Sequence, residues 1–91
     1  QLEEHIFEEF QEGISGWVLR KKVPTLSTDI QADKRNRGKA LAKARKSDDR
    51  SLAVAPLIIG DKVIGTLTVV NSRWKRIFTE ADLNLVTMLA R

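Results

Sequence analysis

His5 is the one imidazole in this sequence, and there is no cysteine. Zinc, copper and iron–sulfur sites draw several ligands from those two side chains, so the usual transition-metal chemistries lack their donors. The same count removes thiol nucleophiles and disulfides. Ser15, Ser27, Ser47, Ser51 and Ser72 share His5 as their one imidazole base, and none stands in the elbow-type glycine frame of a hydrolase nucleophile. Gly13-Ile14-Ser15-Gly16 has the look of a phosphate-cradling loop but lacks the Gly-Lys-Ser/Thr that holds phosphate and magnesium, so it reads as a helix C-cap and turn. These residue types predict a protein that is not an enzyme and holds no metal.

Binding chemistry is better represented. Trp17 and Trp74 could stack on a planar ligand, although such residues more often fill a core or an interface. Lys34, Arg35, Arg37, Lys39, Lys43, Arg45, Lys46 and Arg50 form a basic run with Asp48 and Asp49 as the acids within it. Such a run attracts acidic partners. No aromatic is interleaved in it, so a stacking platform for single strands is missing and nucleic acid is not the partner expected. The glutamates of the opening segment, Glu3, Glu4, Glu8, Glu9 and Glu12, are an equally good electrostatic match, within or between chains.

With 91 residues the chain has room for a single domain, and 42% hydrophobic with 31% charged residues is the balance of a soluble globule. No apolar run approaches the roughly 20 residues of a membrane span, and the acidic start is unlike a secretory leader, so a cytoplasmic location is expected. The chain opens on Gln1 rather than Met, which suggests a piece of a larger protein.

The elements that would position these groups follow from periodicity. Leu2, Ile6 and Phe10 recur at helical spacing with glutamates opposite, predicting an amphipathic helix ending near Gly13. Residues 14–22 read as a helix turn or tight loop, Thr25–Asp29 as a short strand started by Pro24, and residues 30–50 as a surface loop around a short basic helix. Residues 51–59 and 62–70 are β-branched runs flanking Gly60-Asp61, a hairpin signal. Pro56 suggests a bulge there, and Gly65 a close backbone or helix approach. Thr79 as N-cap, Asp82 as its acidic partner and Phe78 stapled on Leu83 begin a last helix. Its apolar stripe is Leu83, Val86 and Leu89, widened by Leu85 and Ala90.

The succession Gly13-Ile14-Ser15-Gly16-Trp17-Val18, Pro24, Asp29, Ser51, Pro56-Leu57, Val63-Ile64-Gly65-Thr66-Leu67 and Phe78-Thr79-Glu80-Ala81-Asp82-Leu83 resembles GAF domains from Gly13 to Arg91. The resemblance implies an α+β fold of PAS-like architecture, an antiparallel sheet flanked by helices, as found in sensor kinases, cyclic-nucleotide enzymes and transcription regulators. Complete members begin with a helix and two further strands that are missing here, so the strand at 62–70 is expected to have an open edge, a template for another chain. Cyclic-nucleotide members carry Asn-Lys and a later Phe-x-x-x-Asp-Glu; here Ser72 follows Asn71 and Leu83 follows Asp82, which argues against that ligand. Without cysteine no bilin can attach covalently.

The expected function is that of a non-catalytic sensory domain, binding an unidentified small molecule and passing a signal to an attached output domain such as a histidine kinase, cyclase or transcription regulator. The sheet and the loop at 29–51 would form the pocket, with Asp29, Arg35, Arg50 and Ser51 as polar groups over an apolar floor of Ala53 and Leu67. No cofactor is specified. A homodimer is expected through the 62–70 edge or the terminal helices. The alternatives are a purely structural dimerisation module and a basic nucleic-acid-binding domain.

Overall fold

Asp49–Ile59 (β2) and Lys62–Ser72 (β3) form the hairpin that the alternating β-branched runs predict, turning at Gly60 with φ +63°. A computed structural model describes residues 12–90 of the chain; the amphipathic helix expected before Gly13 falls almost wholly outside them. Thr25–Ser27 (β1) pairs antiparallel with β2 on its other side, giving the order β1-β2-β3. Among the described residues β3 is bonded on one side only, so its outer edge is open as expected.

β2 is the centre of the molecule because both of its faces are covered. Residues 51–56 are all buried. Since successive side chains of a strand point to opposite faces, Leu52 and Val54 face one layer and Ala53 and Ala55 the other. Leu52 and Val54 pack with Ile14, Val18, Ile30 and Ala44, against which Trp17 leans. Ala53 and Ala55 pack with Leu83, Val86 and Ala90, and with Leu26, Leu57, Leu67, Val69 and Phe78 around them.

The first layer comes from Ile14–Lys21 (α1) and Gly38–Arg45 (α2). Of the helix turn or tight loop expected at 14–22, the structure shows a helix, longer than the single turn expected. Ile14 and Val18, one helical turn apart, both bury against β2, and that burial outweighs the penalty of about 1 kcal/mol for Gly16 inside a helix. α1 ends at Lys22, whose φ of 61° and ψ of 33° lie in the left-handed region that favours glycine. The first strand stops at Ser27 rather than Asp29, since the chain turns there: Asp29 Oδ1 accepts from the Gln31 N–H at 3.1 Å, and Ile30 N–H donates to the Arg50 carbonyl at 2.7 Å.

The other layer is Glu80–Leu89 (α3), and its start is as the sequence predicts. The Asp82 carboxylate accepts from the Thr79 backbone N–H at 2.7 Å, closing a capping box, while Phe78 and Leu83 join the same cluster. The stripe needs correction at its far end. Leu83, Val86 and Ala90 are buried, but Leu85 (58%), Met88 (67%) and Leu89 (69%) face outward. Their spacing places them together on the opposite side of the helix. Two expectations about the hairpin also change. Pro56 stays in the ladder opposite Thr66, beyond the end of β1, and the nearer of the two register shifts falls between Leu57 and Ile58. The space over Gly65 is filled by the Leu57 side chain at ordinary contact distance, and among the described residues no second backbone approaches it.

Two substitutions test this packing. Leu83→Ala should cost about 2–5 kcal/mol in denaturant unfolding, whereas Leu89→Ala should change stability by less than about 0.5 kcal/mol. Lys22→Gly relieves the left-handed cap and should raise stability by about 0.5–1 kcal/mol.

Candidate functional site

Between α1, α2 and the sheet lies a cavity of about 540 Å³, within the range of small-molecule sites. Its floor is Leu52, Thr68 and Val70, the outward residues of β2 and β3 on that face. Gly13, Ile14 and Ser15 form one wall; Ile30, Asn36, Ala40, Lys43 and Ala44 form the roof; Ser47 and Asp49 stand at the rim. Apolar surface therefore surrounds a few polar groups. The Ser15 and Thr68 hydroxyls bond each other at 3.0 Å, joining wall to floor. The Asn36 side chain is buried, and its Nδ2 donates to the Ile30 carbonyl at 2.9 Å.

The roof is held by charge. Arg35 Nε and Nη2 donate to the two oxygens of Asp33 at 2.9 and 2.6 Å, Nη2 also donates to the Leu26 carbonyl at 3.0 Å, and the guanidinium lies 5.3 Å from the Trp17 ring centre. One side chain thereby joins the loop to β1 and α1. The bond from Arg35 lowers the Asp33 carboxyl from 3.8 to about 2, against the opposing effect of burial. The same pair raises the Arg35 pKa. The start of α2 is fixed separately. Glu12 accepts from the Lys39 N–H through its carboxylate at 3.1 Å and from the Arg37 N–H through its carbonyl at 3.0 Å. Both donors are backbone N–H groups of the basic run rather than its cationic side chains. Gly38 has φ +55°, a left-handed backbone conformation that favours glycine, and a Cβ there would displace the Glu12 carboxylate.

The residues expected to bind ligand are not gathered in this cavity. Ala53 and Leu67 lie on the opposite face of the sheet, packed with α3. Ser51 Oγ, on that same face, accepts from the Phe78 N–H at 3.1 Å and anchors the approach to α3. Asp29 and Arg50 are exposed at the loop's base, and Arg35 braces the roof without lining the space beneath it. The segment 29–51 supplies the roof and rim residues, and the cavity's polar lining comes from it, from α1 and from β3. Ser15, Asn36, Lys43, Ser47, Asp49 and Thr68 are its polar lining. Thr68 was accessible to parity, since it lies one residue from Leu67 and so faces the other layer. Among the described residues no group of three or more His, Asp or Glu could hold a metal ion, and no helix is long and apolar enough to cross a membrane.

The described chain is thus a three-stranded sheet with an open cavity roofed by a loop and a short helix. The family model described as GAF domain matches residues 1–91. The chain belongs to the GAF domain family. GAF domains are sensory and regulatory domains of signalling proteins. Solved structures agree on the fold of this GAF domain. The GAF domain of a phosphoenolpyruvate-protein phosphotransferase from Coxiella burnetii superposes with a TM-score of 0.70 at 20% identity, covering 89% of this chain and 46% of that one. A GAF domain/HD domain protein from Geobacter sulfurreducens gives 0.68 at 18% identity, covering 89% and 52%. The A. aeolicus nlh2 GAF domain, in an inactive state, gives 0.66 at 20% identity, covering 88% and 49%. The chain thus spans about half the length of the structures it matches. No curated protein matches it at a significant level.

The roof of this GAF domain should be acid-labile in a defined window. A folded-state pKa depressed from 3.8 to about 2 contributes stability that is present above 3.8 and lost as pH falls toward 2. Asp33→Asn should therefore melt below the parent protein at neutral pH, and the gap between their melting temperatures should close as pH falls through that window. Thermal melts of both proteins across the acid range read this directly.

Proposed function

We propose that this GAF domain is a non-catalytic sensor that binds a small molecule in the cavity between the sheet and the α2 roof, and passes the signal to an attached output domain. The observation that carries the reading is the cavity itself. It is of ligand size, its lining surface is mostly apolar with polar groups set into it, and its roof is a loop and short helix tied down by a handful of polar bonds. A ligand that favours one arrangement of that roof shifts the population toward it, and the helices packed on the same sheet follow. The C. burnetii phosphotransferase and the G. sulfurreducens HD protein indicate the kind of output to which such a domain is joined. The signal acts within the cytoplasm in this reading.

A second reading, a dimerisation module without ligand, is favoured by one specific observation. Leu85, Met88 and Leu89 form an exposed apolar face on α3, and the β3 edge is open among the described residues. A partner copy would cover either surface.

Thermal melts against a panel of soluble metabolites separate the two. A ligand of the folded state must raise the melting temperature in proportion to its excess over Kd. Ala40→Trp, which fills the cavity from the roof, should abolish that rise while leaving the unliganded protein folded. A panel that moves neither protein, together with a concentration-dependent melting temperature, would establish the dimerisation module instead.

A further inference from the structure

Trp74, in the turn between β3 and α3, is 75% exposed, the largest exposure of any bulky apolar side chain among the described residues. Single exposed apolar residues are ordinary; the frame around this one is not. Arg73 N–H donates to the Asp48 carbonyl at 2.7 Å, and Arg73 Nη2 to Asp48 Oδ1 at 2.7 Å. Lys75 N–H donates to the Ser72 carbonyl at 3.1 Å, and Asn71 Nδ2 to the Arg76 carbonyl at 3.0 Å. Arg76 then grips both oxygens of Asp82 at 2.6 and 2.8 Å. The turn is thus tied to the residue preceding β2, to itself and to α3, while the Arg73 guanidinium lies 5.1 Å from the Trp74 ring centre. Neither hydrophobic cluster includes Trp74, so the fold gains little from it. Tryptophan and arginine on a pre-ordered frame are the residue types that dominate protein interfaces, because the cost of ordering them has already been met.

Charge selects the partner. The Asp48–Arg73 bonds bring residues 45–50 beside residues 71–77. Arg45, Lys46, Arg50, Arg73, Lys75 and Arg76 then stand against Asp48, Asp49 and Asp82, six cations to three acids. Arg73 and Arg76 are matched by Asp48 and Asp82. Lys46, Arg50 and Lys75 are exposed and make no ion pair among the described residues. We infer that this end of the sheet docks an acidic segment of a partner protein, with Trp74 as the apolar anchor and Lys46, Arg50 and Lys75 meeting its carboxylates. Nucleic acid fits less well. Single strands are held by several aromatics in succession, and Trp74 is one ring with a face turned to Arg73.

The test uses the whole chain and a short fluorescent peptide of glutamate and leucine, with anisotropy as the readout. Binding should weaken steeply with added salt. Trp74→Ala should weaken it about tenfold or more, and Lys75→Glu should weaken it and flatten the salt dependence. Both variants should melt with the parent protein, which excludes unfolding as the cause. Equal affinity of Trp74→Ala and parent, the absence of binding to the parent, or tighter binding of an oligothymidine strand than of the peptide would each overturn the proposal.

Discussion

The whole arrangement depends on β2 being buried on both faces. A strand covered on one side tolerates polar residues at every second position; this one does not, and Ser51 is buried only with its hydroxyl bonded to the start of the α3 segment. The consequence is a division of labour between the two faces. Leu52 and Val54 look toward α1 and α2, where packing is incomplete and a cavity remains. Ala53 and Ala55 look toward α3, and their small side chains let that helix settle onto the sheet with Leu83, Val86 and Ala90 filling the gap. One face is closed by packing, and the other is held open by the way its roof is suspended.

That suspension is polar rather than apolar. α2 buries only Ala44 among its eight residues, so it gains little from the hydrophobic effect. What keeps it in place is the Arg35 brace at one end of the loop and the Glu12 bonds at the start of the helix. Buried or half-buried hydrogen-bonded charge pairs fix geometry more than they add stability. A roof held this way keeps its position while remaining easier to displace than the hairpin below it.

Much of the fold was legible in the sequence, because it follows from local rules. Gly60-Asp61 between two β-branched runs specified the hairpin, and Phe78-Thr79-x-x-Asp82-Leu83 specified the beginning of α3. The misreadings came where tertiary context overrides local preference. Gly13 and Gly16 disguised α1, whose helical state is secured by Ile14 and Val18 against β2. Leu85 and Leu89 are as apolar as Leu83, and nothing local says which side of α3 meets the sheet. The site was harder still. Choosing Ala53 and Leu67 as a floor required knowing which face of the sheet carries the loop, and both lie on the face packed against α3. The polar side chains of Arg35 and Ser51 hold backbone in place, at the Leu26 carbonyl and the Phe78 N–H.

Glu12 sits two residues before α1 and clasps the first turn of α2 with both its carbonyl and its carboxylate. The leading end of the described chain and the lid of the cavity are therefore mechanically one piece. Separating the former from the latter would break both bonds, so a shift at the entry of the chain is carried directly to the roof.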